Sequence, residues 1–318
     1  MPKVLITGGG GFLGQAVAHN LKDKNFEVVT YDIVEPDEII GEHVTGTIMY
    51  IDELYQAMKG CDYVIHLAAM LGVGRTESNR MECLNINIIG TKNVFDACVY
   101  AGVKKIVFAS SSEVYGEPIK NPITEDDFVY PKSVYAVTKL AGEEYAKAYK
   151  QQYNLDYSII RFFNAYGPRQ VAEFVMPKFI KAVMEGKSPT IYGNGEQERC
   201  FCHADDSSQG VYLALTKDEA NGEIFNIGND NTMISMKDLA DKVIQISGKD
   251  IKPEQVDFEK SDRTKDREIV KRTVSIEKAK KILGYNPTID LDVGIRDVIE
   301  KDNIKDGWSD EKYKYNRA

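Results

Sequence analysis

The stretch that most constrains this chain is Thr7-Gly8-Gly9-Gly10-Gly11-Phe12-Leu13-Gly14. It follows a short apolar run, Val4 to Thr7, and precedes Phe12, Leu13, Ala16, Val17 and Leu21, apolar positions close to helical spacing. The spacing predicts strand, tight turn, helix. Glycines at 8, 11 and 14 remove side chains where the backbone must turn sharply and where a helix N-terminus, with unpaired N–H groups, would receive a pyrophosphate. Asp32 lies just past the next strand-like run, Glu27 to Tyr31. A carboxylate there can accept both hydroxyls of a ribose and repels a 2′-phosphate, which selects NAD over NADP.

The alternation continues along the chain. Tyr63 to Leu67 and Lys105 to Ala109 read as further short strands, and Ile51 to Lys59 and Ile88 to Ala101 as helices. Strands alternating with helices imply parallel β-α-β units. The expected class is therefore α/β, a doubly wound parallel sheet of Rossmann type with ligands at the carboxyl ends of its strands. Beyond about residue 165 the rhythm is broken by Pro168, Pro177, Pro189 and the Gly193-Asn194-Gly195 turn. We therefore expect a dinucleotide domain over 1–165, with 200–228 returning to it, and a smaller α/β substrate lobe built from 166–199 and 229–318. Helices are expected there near Met236 to Ile246 and Ile276 to Leu283. The charged tail after Asp302, with Trp308, takes no assigned place.

Composition excludes several classes. Hydrophobic residues are 43% and charged residues 28%, as in ordinary globular proteins. The net charge of −9 opposes binding to nucleic acid or an anionic membrane. No apolar run approaches the ~18 residues of a membrane span. The N-terminus enters a strand directly and breaks into glycines too soon for a signal peptide, so a cytoplasmic location is expected. Cys61, Cys83, Cys98, Cys200 and Cys202 are scattered, and four histidines add no metal-ligand spacing, so we expect buried thiols and no metal. Cys200 and Cys202 are expected to share one strand face.

The chemistry concentrates after the Lys105 run, in Ser110-Ser111-Ser112-Glu113-Val114-Tyr115-Gly116, and in Tyr135-Ala136-Val137-Thr138-Lys139. Tyr135 and Lys139 at i and i+4 share one helical face, so the ammonium is expected to pull the phenol's pKa down toward neutrality. A phenolate taking a sugar hydroxyl proton, with a serine hydroxyl on the same oxygen, is a general base for hydride removal.

With these motifs in place, the sequence resembles the extended short-chain dehydrogenase/reductase superfamily, in particular its NAD-dependent nucleotide-sugar epimerases, dehydratases and decarboxylases. The resemblance rests on TGGGGFLG (7–14), Asp32, HLAA (66–69), NINIIGT (85–91), SSSEVYG (110–116), YAVTK (135–139), RFFNAYGPR (161–169), IYGNGEQERCF (191–201) and AKKILGYNP (279–287). It implies NAD held by Gly8, Gly11, Phe12, Leu13, Gly14, Asp32, Leu67, Ala68 and Ala69, with Tyr135 and Lys139 against the cofactor. It further implies catalysis by Tyr135, Lys139 and Ser111, joined by Glu113 where a base is needed. Asn87 matches a structural asparagine. A nucleotide-diphosphate sugar would lie against Ser111, Ser112 and Asn164, its diphosphate met by Arg199 and by one of Arg263, Arg267 or Arg272, of which we take Arg272. Gly46-Thr47-Ile48 departs from the more usual Gly-Asp-Ile at the adenine. Helices over 88–101 and 135–150 resemble the pair that builds a homodimer in this superfamily, although their apolar faces equally suit a core.

A transient 4-keto sugar can be reduced on its other face, lose water across C5 and C6, or, with a C6 carboxylate, lose carbon dioxide. Glu113, two residues after Ser111, is expected by strand alternation to share its face and resembles the base of dehydratases and decarboxylases. Ser112 stands where some dehydratases carry an aspartic acid. Met70-Leu71-Gly72-Val73 offers no basic residue for a sugar carboxylate. The balance favours 4-epimerisation, with 4,6-dehydration or decarboxylation through Glu113 next. A non-catalytic NAD sensor would be expected to have lost Tyr135 or Lys139.

Overall fold

The computed structural model describes residues 1–257, 259, 269–301 and 304–306. Runs such as Val4-Leu5-Ile6-Thr7 are apolar on both faces of the pleat, so each can be desolvated only between two layers of helix. The first half supplies β1 (Lys3–Thr7), α1 (Phe12–Asp23), β2 (Glu27–Asp32), β3 (Glu42–Thr45), α2 (Ile51–Met58), β4 (Tyr63–His66), α3 (Val73–Ser78), α4 (Arg80–Leu84), α5 (Thr91–Ala101), β5 (Lys105–Ser111), α6 (Val134–Tyr153) and β6 (Asp156–Phe162). The second half supplies β7 (Ala165–Tyr166), α7 (Val175–Met184), β8 (Thr190–Tyr192), β9 (Glu198–Cys200), β10 (Cys202–His203), α8 (Ala204–Thr216), β11 (Glu223–Ile227), β12 (Met233–Ser235), α9 (Met236–Ser247), β13 (Glu254–Val256), β14 (Lys271–Arg272) and α10 (Leu291–Lys301).

Among the described residues, a seven-stranded sheet runs in the order β3-β2-β1-β4-β5-β6-β11, each neighbouring pair parallel. Helices α1 and α8 pack together on one face, and α2, α5 and α6 on the other. The sheet is therefore the doubly wound one that the alternation predicts. The order reverses between β1 and β4, which opens a crevice at their carboxyl ends. A separate core around Phe179, Ile180, Leu239, Val243 and Ile295 holds α7, α9 and α10 together. β9 lies between β12, antiparallel, and β14, parallel. Among the described residues no helix is long and apolar enough to cross a membrane.

Several expectations change on contact with the packing. The helix expected from Ile88 is preceded by a π-helical turn, Asn85–Gly90, which carries Asn87 inward. Asn87 accepts from the Met70 N–H (2.7 Å) and donates to the Met70 carbonyl (2.9 Å) and the Thr138 hydroxyl (3.1 Å), bracing the loop after β4 against α6. The five cysteines are buried and free. Cys200 and Cys202 do not share a continuous strand face, because β9 ends at Cys200 and β10 begins at Cys202, on different partners. Trp308, Arg263 and Arg267 lie outside the described residues.

Candidate active site

A cavity of about 1260 Å³ runs from the glycine turn, along the ends of β1, β4 and β5, to β9 and β14. That exceeds the usual ~300–1,000 Å³ of a single small-ligand site. At the first end Gly8 has φ +73°, and a Cβ on it would stand 2.7 Å from the Ala68 nitrogen; one on Gly14 would stand 2.2 Å from the Gly8 oxygen. The glycines thus let β1, α1 and the end of β4 approach closely and leave the cradle open. Asp32 ends β2 with its carboxylate accepting from the N–H groups of Gly10 (2.9 Å) and Val34 (3.1 Å). Burial raises its pKa, and those N–H groups pull it back. Gly11, Phe12, Leu13, Leu67, Ala68 and Ala69 line the same end. Thr47 lines it too, its carbonyl accepting from the Tyr31 hydroxyl at 3.0 Å.

His66, from the HLAA stretch, is a buried strut. Its two nitrogens meet the Thr7 hydroxyl (2.7 Å) and the Thr91 hydroxyl (3.0 Å), and burial, with the charge of Lys139, lowers its pKa to about 3.

At the middle of the cavity β5 delivers Ser111, which caps a 3₁₀ turn, Ser112–Tyr115, by accepting from the Glu113 N–H at 3.2 Å. Glu113 is therefore not on the strand: it reaches the cavity from this turn, and the alternation argument for it fails. Its carboxylate accepts from the Ser133 hydroxyl at 3.1 Å, and Ser133 in turn caps α6 by accepting from the Ala136 N–H at 3.0 Å. Tyr135 sits in the first turn of α6 and lines the cavity with Ser111, whose side chain opposes the rise of the phenol's pKa. Lys139, one turn on, donates to the Ala109 carbonyl at 2.8 Å, with its nitrogen 5.7 Å from the centre of the Tyr135 ring.

The electrostatics differ from the sequence expectation. Tyr135 is raised above its ordinary pKa, first by burial and then by the Glu113 carboxylate, with the Ser111 hydrogen bond opposing. Lys139 falls to about 8 through burial. The helical spacing is present, but burial and the Glu113 carboxylate favour the protonated phenol in this state.

Behind the strand end lies a buried ion pair that sequence reasoning missed. Arg161 on β6 donates to both carboxylate oxygens of Glu143 on α6 (2.9 and 2.6 Å), and Ser110 donates to the same carboxylate at 2.5 Å. Glu143 follows Lys139 by four residues, so the same helical spacing that marked Tyr135 and Lys139 was the signal for it.

At the far end, β14 pairs with β9 so that Arg272 is the register partner of Arg199. Both are buried and both line the cavity. Part of the Arg199 guanidinium is spent on the Ile269 (2.6 Å) and Glu198 (2.8 Å) carbonyls. Asn164, at φ +39°, lines the cavity while donating to the Cys200 carbonyl at 2.9 Å. Arg75, on α3, also lines the cavity, so the segment after HLAA does supply a basic residue, two positions beyond the stretch inspected for one.

The glycine cradle that a Cβ would fill, the carboxylate beyond it and the Tyr135–Lys139 pair fit a nicotinamide dinucleotide. Comparison with known proteins agrees. The model of the NAD dependent epimerase/dehydratase family matches residues 4–228. The chain is similar to a UDP-N-acetyl-alpha-D-glucosaminuronate decarboxylase of Bacillus cytotoxicus, 32% identical over 94% of this chain and 97% of that protein. It is also similar to a dTDP-glucose 4,6-dehydratase of Streptomyces griseus, 30% identical over 92% and 91%. Among solved structures, a UDP-glucuronic acid 4-epimerase of Bacillus cereus, in complex with UDP-glucuronic acid and NAD, superposes with a TM-score of 0.85 at 29% identity, covering 94% of this chain and 98% of that one. The chain belongs to the NAD-dependent epimerase/dehydratase family, and its cofactor is NAD.

Proposed function

We propose that this chain is a nucleotide-diphosphate-sugar 4-epimerase working through a transient 4-keto sugar. The observation that carries the reading is that Ser111, Tyr135 and Lys139 line one cavity with the glycine turn and the Arg199–Arg272 pair. Arg199, Arg272 and Asn164 hold the diphosphate, which extends the sugar toward Tyr135. Positive charge from Lys139 and from NAD, when bound, would favour the phenolate of Tyr135, which then takes the C4 hydroxyl proton while Ser111 keeps a hydrogen bond on that oxygen. NAD, held by the glycine turn and Asp32, would supply the acceptor for the C4 hydride and its donor to the opposite face. Lys139, fixed by the Ala109 carbonyl, keeps a cation beside the phenol as charge develops there. A homodimer through α5 and α6 goes with this reading: Tyr100 and Val137, 66% and 45% exposed, lie on those helices.

Ser112 favours epimerisation over dehydration, since a serine hydroxyl is a poor acid for the departing C6 oxygen. A second reading, dehydration or decarboxylation, is favoured by one observation: Glu113 lines the same cavity. Incubation with UDP- and dTDP-sugars and mass analysis separates them. An epimerase leaves the mass unchanged, a dehydratase removes water and a decarboxylase removes carbon dioxide. Tyr135→Phe should lower turnover by roughly 10²–10⁴-fold, and Glu113→Gln should spare an epimerase but cripple a dehydratase. Loss of water or carbon dioxide from every substrate consumed would reject the first reading.

A further inference from the structure

We propose that Asn121 is a positioning residue for the substrate: it holds the backbone on both sides of Arg272 and so sets where that arginine stands relative to the catalytic turn; this rests on the reading that Arg272 meets the diphosphate. Arg272 belongs to β14, a strand of two residues, too short to keep its register through β9 alone. Successive residues of a strand turn their N–H and C=O groups to opposite neighbours. Val270, whose carbonyl accepts from the Glu198 N–H at 2.8 Å, faces β9, and Arg272 does the same. Lys271 and Thr273 face the other way, onto residues 121–123. There the Ile123 N–H donates to the Thr273 carbonyl at 2.9 Å, and the Ile123 carbonyl accepts from the Ser275 N–H at 2.8 Å, a parallel ladder. Its next rungs would join the Asn121 peptide group to Lys271 and Thr273. The side-chain carboxamide makes them instead: Oδ1 accepts from the N–H and the hydroxyl of Thr273, both at 3.0 Å, and Nδ2 donates to the Lys271 carbonyl at 3.3 Å.

The segment that Asn121 begins is tied to the catalytic end of the cavity. Asn226 on β11, fully buried, donates to the Ile123 carbonyl at 3.2 Å and accepts from the Tyr115 hydroxyl at 2.7 Å. Tyr115 closes the 3₁₀ turn that Ser111 caps and that carries Glu113. The chain that brackets Arg272 and the turn beside Tyr135 therefore hang from one buried carboxamide. A sugar diphosphate has to span the two, its phosphates at one anchor and its C4 oxygen at the other, and a displacement of about 1 Å at either end can cost on the order of a hundredfold in rate. Among the described residues Asn121 does not line the cavity, so its effect on the substrate passes through Arg272.

The test titrates NAD-loaded protein with UDP and UMP, and with dTDP and dTMP, as wild type, Asn121→Ala, Arg272→Met and the double variant. Asn121→Ala should weaken the diphosphate by about tenfold and the monophosphate by less than about twofold. In the Arg272→Met background the same change should cost less than about twofold, the non-additivity of a residue that acts through another. The two backbone bonds of Ile123 survive every variant, and Thr273→Val, which removes only the hydroxyl contact, should show a smaller loss with the same preference for the diphosphate. Equal losses of diphosphate and monophosphate, a full tenfold loss in the Arg272→Met background, or an Asn121→Ala affinity equal to that of wild type overturns the role of Asn121 while leaving Arg272 on the diphosphate. Arg272→Met that binds the diphosphates as wild type does, or wild type that binds neither, overturns the reading of Arg272 and this inference with it.

Discussion

Removing the charge of Glu143 should destabilise the protein far more than its distance from solvent-facing chemistry suggests. Its side chain is 0% exposed and that of Arg161 5%, and they meet through two hydrogen bonds of 2.9 and 2.6 Å. Ser110 uses the same carboxylate, and Arg161 stacks 4.7 Å from the centre of the Tyr115 ring. Glu143→Gln turns one acceptor into a donor facing the guanidinium and leaves a buried charge without a counter-charge. Breaking a buried pair this way costs about 3–5 kcal/mol, a large share of the ~5–15 kcal/mol by which a domain is stable. Removing both charges with Glu143→Met and Arg161→Met should cost much less, since desolvation of the pair nearly cancels its attraction. Urea unfolding of wild type, both single variants and the double variant therefore gives a cycle with a coupling of about 3 kcal/mol. Because Ser110 precedes Ser111, turnover by Glu143→Gln should fall as well. A single-variant cost below ~1 kcal/mol, or a double variant as unstable as the two singles summed, would refute the reasoning.

Two further outcomes follow from the cofactor end. Asp32→Asn removes the charge that repels a 2′-phosphate and weakens the acceptor for the ribose hydroxyls, so the ratio of NAD to NADP affinity, measured by titration of cofactor-free protein, should fall by roughly 10–100-fold; an unaltered ratio would remove Asp32 from the ribose site. His66, its pKa held down to about 3 chiefly by burial, folds neutral, so the unfolded chain takes up a proton as pH falls below about 6.5. Its contribution is complete above that pH and lost toward pH 3, so wild type should lose about 2–3 kcal/mol more than His66→Asn between pH 7.5 and 4.5 in urea titrations.

The glycine turn, the apolar runs and the Tyr135–Lys139 pair were legible because each depends on residues within one or two turns of each other. Periodicities of two and 3.6 and the absence of side chains are local facts. Asp32 was legible for a related reason, since the end of a buried strand is marked where an apolar run stops, whereas Ser111 was singled out from its two neighbouring serines only by the family resemblance. The argument that put Glu113 beside Ser111 failed because the strand ends at Ser111, and a serine cap, not the pleat, carries the chain onward. Neither β3, a half-exposed edge strand, nor the π-helical turn at Asn85–Gly90 has an apolar period to read.

What the sequence by itself determined, then, is the order of elements, the place of the glycine turn and the spacing of Tyr135 and Lys139, all short-range properties of the chain. Only the tertiary structure decided that Arg272 lies beside Arg199, that Arg161 meets Glu143, that Arg75 reaches the cavity, and that burial raises the pKa of the Tyr135 phenol. Those depend on which distant segments exclude water from one another, and desolvation is a property of the assembled fold, with no counterpart in sequence spacing.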